Sequence, residues 1–309
     1  RQVRLHGFLR VDSSRSARSE ASTLTIRLLR FRNLLLGLFA LFALFYCTLA
    51  IIVAFDEPSL EPIQGGIGSY QTIAIFGASG TAGDGILKAA LADPGVGSIR
   101  VITRRSTPRI AAGAESGKVE VTRHLDYERY AAIHEQIADV DAVYWAIGTS
   151  SLGVDEATYA KIHVDFPVQF VREWLEVSNR DAISFHYISS SDISASSMAM
   201  WAREKYRAEQ SLITLGEGTR LKVLNYRPDY IRPEQAHLGQ KLLYAFFAPV
   251  MAAVRAEQIG AAMLELTARD NMTDHGEHFS TRDIRSLSKA YHARLDGAAE
   301  MRSTEGMVD

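Results

Sequence analysis

The 309-residue sequence predicts an α/β architecture, a doubly wound parallel sheet, preceded by a single transmembrane helix. Three observations carry that expectation. Residues 34–55 form an apolar run without one charge. From residue 70 onward, short β-branched runs alternate with longer helical stretches, a pattern that yields parallel β-α-β units with helices on both sheet faces. Between the first such strand and the first such helix stands the glycine-spaced segment GASGTAG, at 77–83.

Residues 1–33 hold eight arginines, no lysine, and only Asp12 and Glu20 as acids. The 34–55 run that follows covers about 33 Å as a helix, enough for a hydrocarbon core. It is longer than the apolar region of a cleavable signal and lacks the polar stripe of a core helix. Asp56, Glu57 and Glu61 lie beyond it. Positive-inside logic therefore keeps the N-terminus in the cytoplasm or matrix and sends the large domain across. An arginine-rich, serine-containing, acid-poor leader also has the composition of a mitochondrial import segment. The first reading is thus an inner mitochondrial membrane protein facing the intermembrane space; a bacterial inner membrane is the second. The first residue is Arg1, compatible with a cleaved leader and with a longer chain alike. Cys47, the one cysteine, excludes an intrachain disulfide. A net charge of −2 gives no reason to expect nucleic acid as a partner.

Residues 56–69 read as a linker, rich in proline and glycine, and 70–292 as the nucleotide-binding domain. Strands are expected near 72–77, 99–103, 118–122, 141–147, 183–189 and 221–226. Helices are expected over 81–92, 127–138, 156–178, 198–214 and 254–268, with Pro167 kinking or restarting the third. Residues 293–309 read as a polar tail with a loose end.

The glycine segment follows the apolar strand at 72–76 and opens a helix, the context of a Rossmann-type dinucleotide site. Gly77 permits the tight turn, Gly80 lets the backbone approach a pyrophosphate, and Gly83 allows close packing. Ser79, Thr81 and Ala82 then offer groups at the helix N-terminus, where free N–H donors and the dipole favour phosphate. After the second strand an NAD site usually has Asp or Glu; this chain has Thr103, Arg104 and Arg105. Guanidinium groups match a 2′-phosphate, so NADP(H) is the expected cofactor. Asp126 is a candidate acceptor for the adenine amino group, and Gly148 with Thr149 ends the fourth strand beside the nicotinamide half.

These landmarks resemble the atypical short-chain dehydrogenases, and most closely the oxidoreductase branch named for the Tat-interacting protein. The residues that carry the resemblance are GASGTAG at 77–83, TRR at 103–105, AIGTS at 146–150 and YISSSD at 187–192. Lys205 with Glu209, YRPDYIRP at 226–233 and HFSTRDIRSLSKA at 278–290 add to it. It covers roughly 70–292. Chemistry in that family uses a Tyr-x-x-x-Lys pair and a serine at the end of the fifth strand, with tyrosine as proton donor. The resemblance makes Lys205 the lysine and Ser189 or Ser190 the serine, but puts Trp201 in the tyrosine's place. An indole N–H does not titrate in the useful range. Tyr206 stands beside the lysine, on another helix face, and Tyr187 on the strand.

The expected function is a membrane-anchored, NADP(H)-binding accessory or assembly subunit of a respiratory-type membrane complex, catalytically impaired. By analogy, the NADPH-binding accessory subunit of respiratory complex I is a precedent. Its partners would be the nucleotide, the lipid bilayer and subunits of the complex. The alternative is a membrane-bound NADPH-dependent reductase of an unknown carbonyl. His275 and His278 read as a solvated loop rather than a metal site, and His163 with Asp165 as packing and capping residues. The apolar stretch 242–254, broken by Pro249, reads as an ordinary core or lid helix, or else as a surface that docks on a membrane partner.

Overall fold

The computed structural model describes residues 9–56, 71–232, 234, 237–250, 253–269 and 273–305, and the chain divides into two compact units after Phe55. The described residues of the first lie in one helix, α1 (Leu9–Asp56). Its stretch Arg27–Phe55 has a mean hydropathy of 2.6 and, among the described residues, is the one helix long and apolar enough to cross a membrane. Phe39, Leu41 and Leu44 each leave more than 60 % of their surface uncovered, a face that suits lipid and not water. The Thr48 hydroxyl donates to Leu44 O within the helix (2.8 Å), so this polar group needs no outside partner. The linker expected at 56–69 lies outside the described residues, except for Asp56, which ends α1.

The second unit begins with β1 (Thr72–Phe76), α2 (Thr81–Ala92), β2 (Ser98–Thr103), α3 (Pro108–Glu115) and β3 (Val119–Arg123). A short helical turn, α4 (His134–Ile137), leads to β4 (Ala142–Trp145). Then come α5 (Glu156–Ala160), a π-turn (Lys161–Asp165), α6 (Phe166–Val177), β5 (Ile183–Ile188), α7 (Met200–Gly216) and β6 (Leu221–Arg227). The chain closes with β7 (Ile231–Arg232), α8 (Leu238–Phe247), β8 (Val254–Arg255), α9 (Ala256–Ala268), β9 (His278–Ser280) and α10 (Thr281–Glu305). Seven strands make one sheet in the order β3-β2-β1-β4-β5-β6-β9, every pair parallel; β7 and β8 pair separately. This is the doubly wound sheet that the sequence predicts.

Both faces of the sheet are covered. Along β1, Ile73 and Ile75 join a core with α2, α9 and α10, while Ala74 and Phe76 join one with α6 and α7. On the first face α2 and α9 nearly touch: a Cβ on Gly85 would lie 2.3 Å from the Ala256 carbonyl carbon. On the second face Phe76 stacks on Trp145 (centroids 4.8 Å) and meets Phe170 edge-on (4.6 Å).

The structure departs from expectation in three places. The helix expected over 127–138 is reduced to the turn at α4, because other partners claim the backbone and side chains before it. Glu173 accepts the Tyr130 N–H (3.0 Å), Asp126 accepts that of Glu128 (3.0 Å), and the Tyr130 hydroxyl donates to Tyr127 O and Phe166 O. The boundary expected at 292 falls inside α10, which reaches Glu305. Arg294 explains this: it is 6 % exposed and bonds Glu265 (2.7 Å), with Arg269 on the carboxylate's other oxygen, so α10 is tied to α9. Of the expected loose end, 300–305 are helical and 306–309 lie outside the described residues. Finally, His275 is no solvated loop residue. Its Nε2 donates to Ile213 O (2.9 Å) and its Nδ1 accepts from Val223 N (3.2 Å), plugging the gap beside Gly216.

Candidate active site

In a parallel sheet all strand C-termini share one edge, and there the chain order reverses between β1 and β4, where such sheets open a crevice. At this edge Gly77 has φ +82, and a Cβ on it would press within 2.7 Å of the Ala146 carbonyl. A Cβ on Gly83 would lie 2.1 Å from Gly77 O, so the first turn of α2 folds back onto its own loop. Gly80 differs: a Cβ there meets only Gly77 O, at 3.4 Å. Protein packing demands glycine at 77 and 83, whereas at 80 it leaves an open approach. Gly80 is the N-cap of α2 and supplies no side-chain cap, so the first-turn N–H groups lack that partner at the positive end of the helix dipole.

A cleft of about 450 Å³ opens beside this loop, lined by Gly77, Ser79, Gly80, Arg104, Arg105, Gly148 and Thr149 among the expected residues. Arg105 reaches Ser79 O (3.5 Å) across the turn, and Thr103 Oγ1 donates to Arg105 O (2.8 Å), which fixes the bend after β2. Both arginines are exposed and unpaired with any carboxylate among the described contacts. Asp126 is not on the cleft wall; the neighbouring Tyr127 is, and its hydroxyl is pushed up by burial, an effect that Arg104 opposes. Thr81 faces an adjoining hollow between α2 and α3.

The sequence reading missed the far wall of this cleft: Thr158, Lys161, Ile162 and Phe166, from α5, the π-turn and α6. Its signal was Pro167. A proline has no N–H to donate to the carbonyl four residues back, His163 O. The helix widens there into the π-turn, and the Tyr187 hydroxyl donates to that carbonyl instead (2.9 Å). The same turn seats His163 with Nε2 3.1 Å from both N and O of Thr149. A Cβ on Gly148 would strike the His163 ring at 2.9 Å. Burial and the nearby Lys205 ammonium push His163 down to about 3, so it is neutral at physiological pH.

Behind this wall lies the lysine. Lys205 is 7 % exposed; its ammonium donates to Ile188 O (2.6 Å) and sits over the Tyr187 ring, 4.8 Å from the centroid. Burial pushes it down to about 7, although Glu209 pulls the other way. The Glu209 carboxylate itself is taken by Arg227. Ser189 is 5 % exposed and its Oγ has no hydrogen-bond partner among the described residues, whereas Ser190 is half-buried. Trp201 is half-buried on the first turn of α7, one turn before Lys205. The Tyr187 hydroxyl, tied to His163 O and raised far above its ordinary range by burial, is no substitute acid. Thus Gly77, Ser79, Gly80, Arg104, Arg105, Gly148 and Thr149 share one cleft, Thr81 faces the hollow beside it, and neither Ser189 nor Lys205 is on the cleft wall. No cluster of three metal-ligating side chains occurs among the described residues.

Neither the models of known protein families nor curated protein sequences match this chain. Solved structures do. A 3-oxoacyl-[acyl-carrier protein] reductase from Brucella melitensis in complex with NAD superposes with a TM-score of 0.55 at 17 % identity, covering 71 % of this chain and 98 % of that one. A short-chain dehydrogenase/reductase from Saccharomyces cerevisiae gives 0.56 at 14 % identity, over 71 % and 98 %. An NADPH-dependent 3-quinuclidinone reductase from Rhodotorula rubra gives 0.54 at 13 % identity, over 73 % and 96 %. The second unit therefore has the fold of the short-chain dehydrogenases/reductases, and the similarity does not single out one branch of them.

Proposed function

We propose that this protein is a membrane-anchored NADP(H)-binding subunit that holds its nucleotide without turning it over, an accessory or assembly component of a respiratory-type membrane complex. The observation that carries this reading is the pairing of Trp201 with Lys205. The uncapped α2 N-terminus and the open approach at Gly80 fit a pyrophosphate; the unpaired Arg104 and Arg105 fit a 2′-phosphate. The solved relatives include one bound to NAD and one that depends on NADPH, in keeping with a nicotinamide nucleotide. When bound, such a nucleotide supplies hydride chemistry. The chain's own residues hold it: the glycine loop takes the phosphates, and Gly148 and Thr149, pinned by His163, border the path toward the nicotinamide end.

What the chain lacks is the proton donor. The position one turn before Lys205 holds an indole, and the lysine ammonium is bound to Ile188 O. A well-placed general acid contributes about 10²–10⁴-fold in rate. The purified full-length protein should therefore bind NADPH and reduce model carbonyls negligibly, and Trp201→Tyr should recover part of the activity. Turnover at ordinary enzymatic rates that disappears in Lys205→Ala would overturn the reading.

One observation favours the second reading, a membrane-bound NADPH-dependent reductase. A lysine pushed down to about 7 exchanges its proton near neutrality, close to a serine hydroxyl without a partner. In that case a pH–rate profile should break near neutrality and lose that break in Lys205→Arg. We place the anchor in the inner mitochondrial membrane with the domain in the intermembrane space, as the arginine-rich flank suggests. The bacterial inner membrane is the other setting compatible with that charge pattern.

A further inference from the structure

Surface helices ordinarily turn apolar side chains inward. α8 does the reverse. No residue of it is buried, and Leu238 (73 % exposed), Leu242 (64 %), Leu243, Phe246 and Phe247 all face out. These five lie on two adjacent rows, 238-242-246 and 243-247, and so form one continuous strip. The row turned toward the domain is the polar one: Gln240 and Tyr244 are half-buried, and Tyr244 carries the Arg232 guanidinium 4.7 Å above its ring. Five large apolar side chains on one helix exceed the scattered exposure usual on a soluble surface.

The charges around the strip point to its occupant. From residue 237 to 255 there is no carboxylate, and Lys241 and Arg255 are both exposed. An apolar strip with Lys241 on its own helix and no carboxylate within that helix fits the headgroup boundary of an anionic bilayer. The same chain carries a candidate membrane span, and only fourteen residues separate Asp56 from Gln71, a contour of at most about 50 Å.

We infer that the outward strip of α8 beds into the acyl–headgroup boundary of an anionic lipid bilayer, a second membrane contact besides the span. The inference rests on the membrane-anchor reading above.

The test uses the full chain with Cys47→Ser and one new cysteine, either Phe246→Cys on the strip or Asp181→Cys at the opposite edge of the sheet. Each is labelled with an environment-sensitive fluorophore and reconstituted in vesicles of phosphatidylcholine and phosphatidylglycerol. The label at 246 should be quenched by nitroxide-bearing lipid and lose most of its accessibility to aqueous iodide, while the label at 181 stays open to iodide. Labels at both positions open to iodide, in protein that co-floats with vesicles, would overturn the inference and leave the anchor standing. Shielding from iodide without quenching by nitroxide lipid would mean that protein, a second copy or a partner, covers the strip, and would overturn it too. Failure of the chain to co-float would refute the anchor reading itself.

Discussion

At the scale of single residues, the proposed preference for NADP(H) rests on the pair Arg104 and Arg105. Replacing both by alanine should weaken NADP(H) by roughly 2–4 kcal/mol through loss of charge-assisted phosphate contacts, and leave NAD(H) nearly unchanged. Titration calorimetry with both nucleotides checks this, and equal affinity in the unmodified protein would refute it. Lys205 gives a second residue-scale prediction. Its folded pKa is depressed to about 7, so between the ordinary lysine range and 7 the unfolded chain takes a proton that the folded one refuses. Stability from this group therefore falls as pH drops through that window and is lowest, and flat, below about 7. Lys205→Met should raise stability at pH 6–7, by on the order of a few kcal/mol less the lost Ile188 contact, and the gain should shrink as pH rises toward 10. Thermal melts across that range read it out. That Trp201 and Lys205 lie one turn apart on one helix was legible, because a four-residue spacing is local. The burial of Lys205, its Tyr187 seat and the capture of Glu209 by Arg227 were not, since they join residues far apart in sequence.

Among elements, the α2 loop separates two uses of glycine. Gly83→Ala would drive a methyl to about 2 Å from Gly77 O and should cost several kcal/mol or prevent folding. Gly80→Ala meets nothing closer than 3.4 Å, so it should fold with near-normal stability and lose nucleotide affinity. Denaturant melts paired with NADPH binding distinguish the two; equal destabilisation by both would remove the argument for an open phosphate approach. The loop and β1 were readable because strand, glycines and helix stand together in sequence. The π-turn was half readable: Pro167 announced a break, but only the fold shows that Tyr187 answers the orphaned carbonyl. β9 was invisible, being three residues long and held only by β6, and α10 looked like a polar tail because its partner acids, Asp93 and Glu265, sit on other elements.

For the whole molecule, the division after Phe55 predicts that removing residues 1–56 leaves a folded domain with unchanged nucleotide affinity, while the full chain resists carbonate extraction. Extraction of the full chain by carbonate would argue against a spanning helix. Protease added outside mitoplasts should cut the domain if it faces the intermembrane space, and full protection there would reverse the orientation. The doubly wound architecture was predictable from alternation alone, because burial on both faces leaves its mark on every strand. The apolar helix that is a candidate span was legible from its length and lack of charge. The inverted face of α8 was not, since an apolar run does not reveal which way it points.

Tyr291 on α10 donates its hydroxyl to Ala89 O on α2, two hundred residues upstream, and β9 closes the sheet beside β6. Synthesis runs from the N-terminus, so every other strand of the sheet exists before these closing pieces do. Until β9 and α10 leave the ribosome, the α2–α9 core lies bare along the side that Ile284, Leu287 and Tyr291 will cover. A half-finished sheet with one open flank thus precedes the closed one. Its exposed flank gives chaperones and quality-control proteases a window that shuts only when the final helix docks.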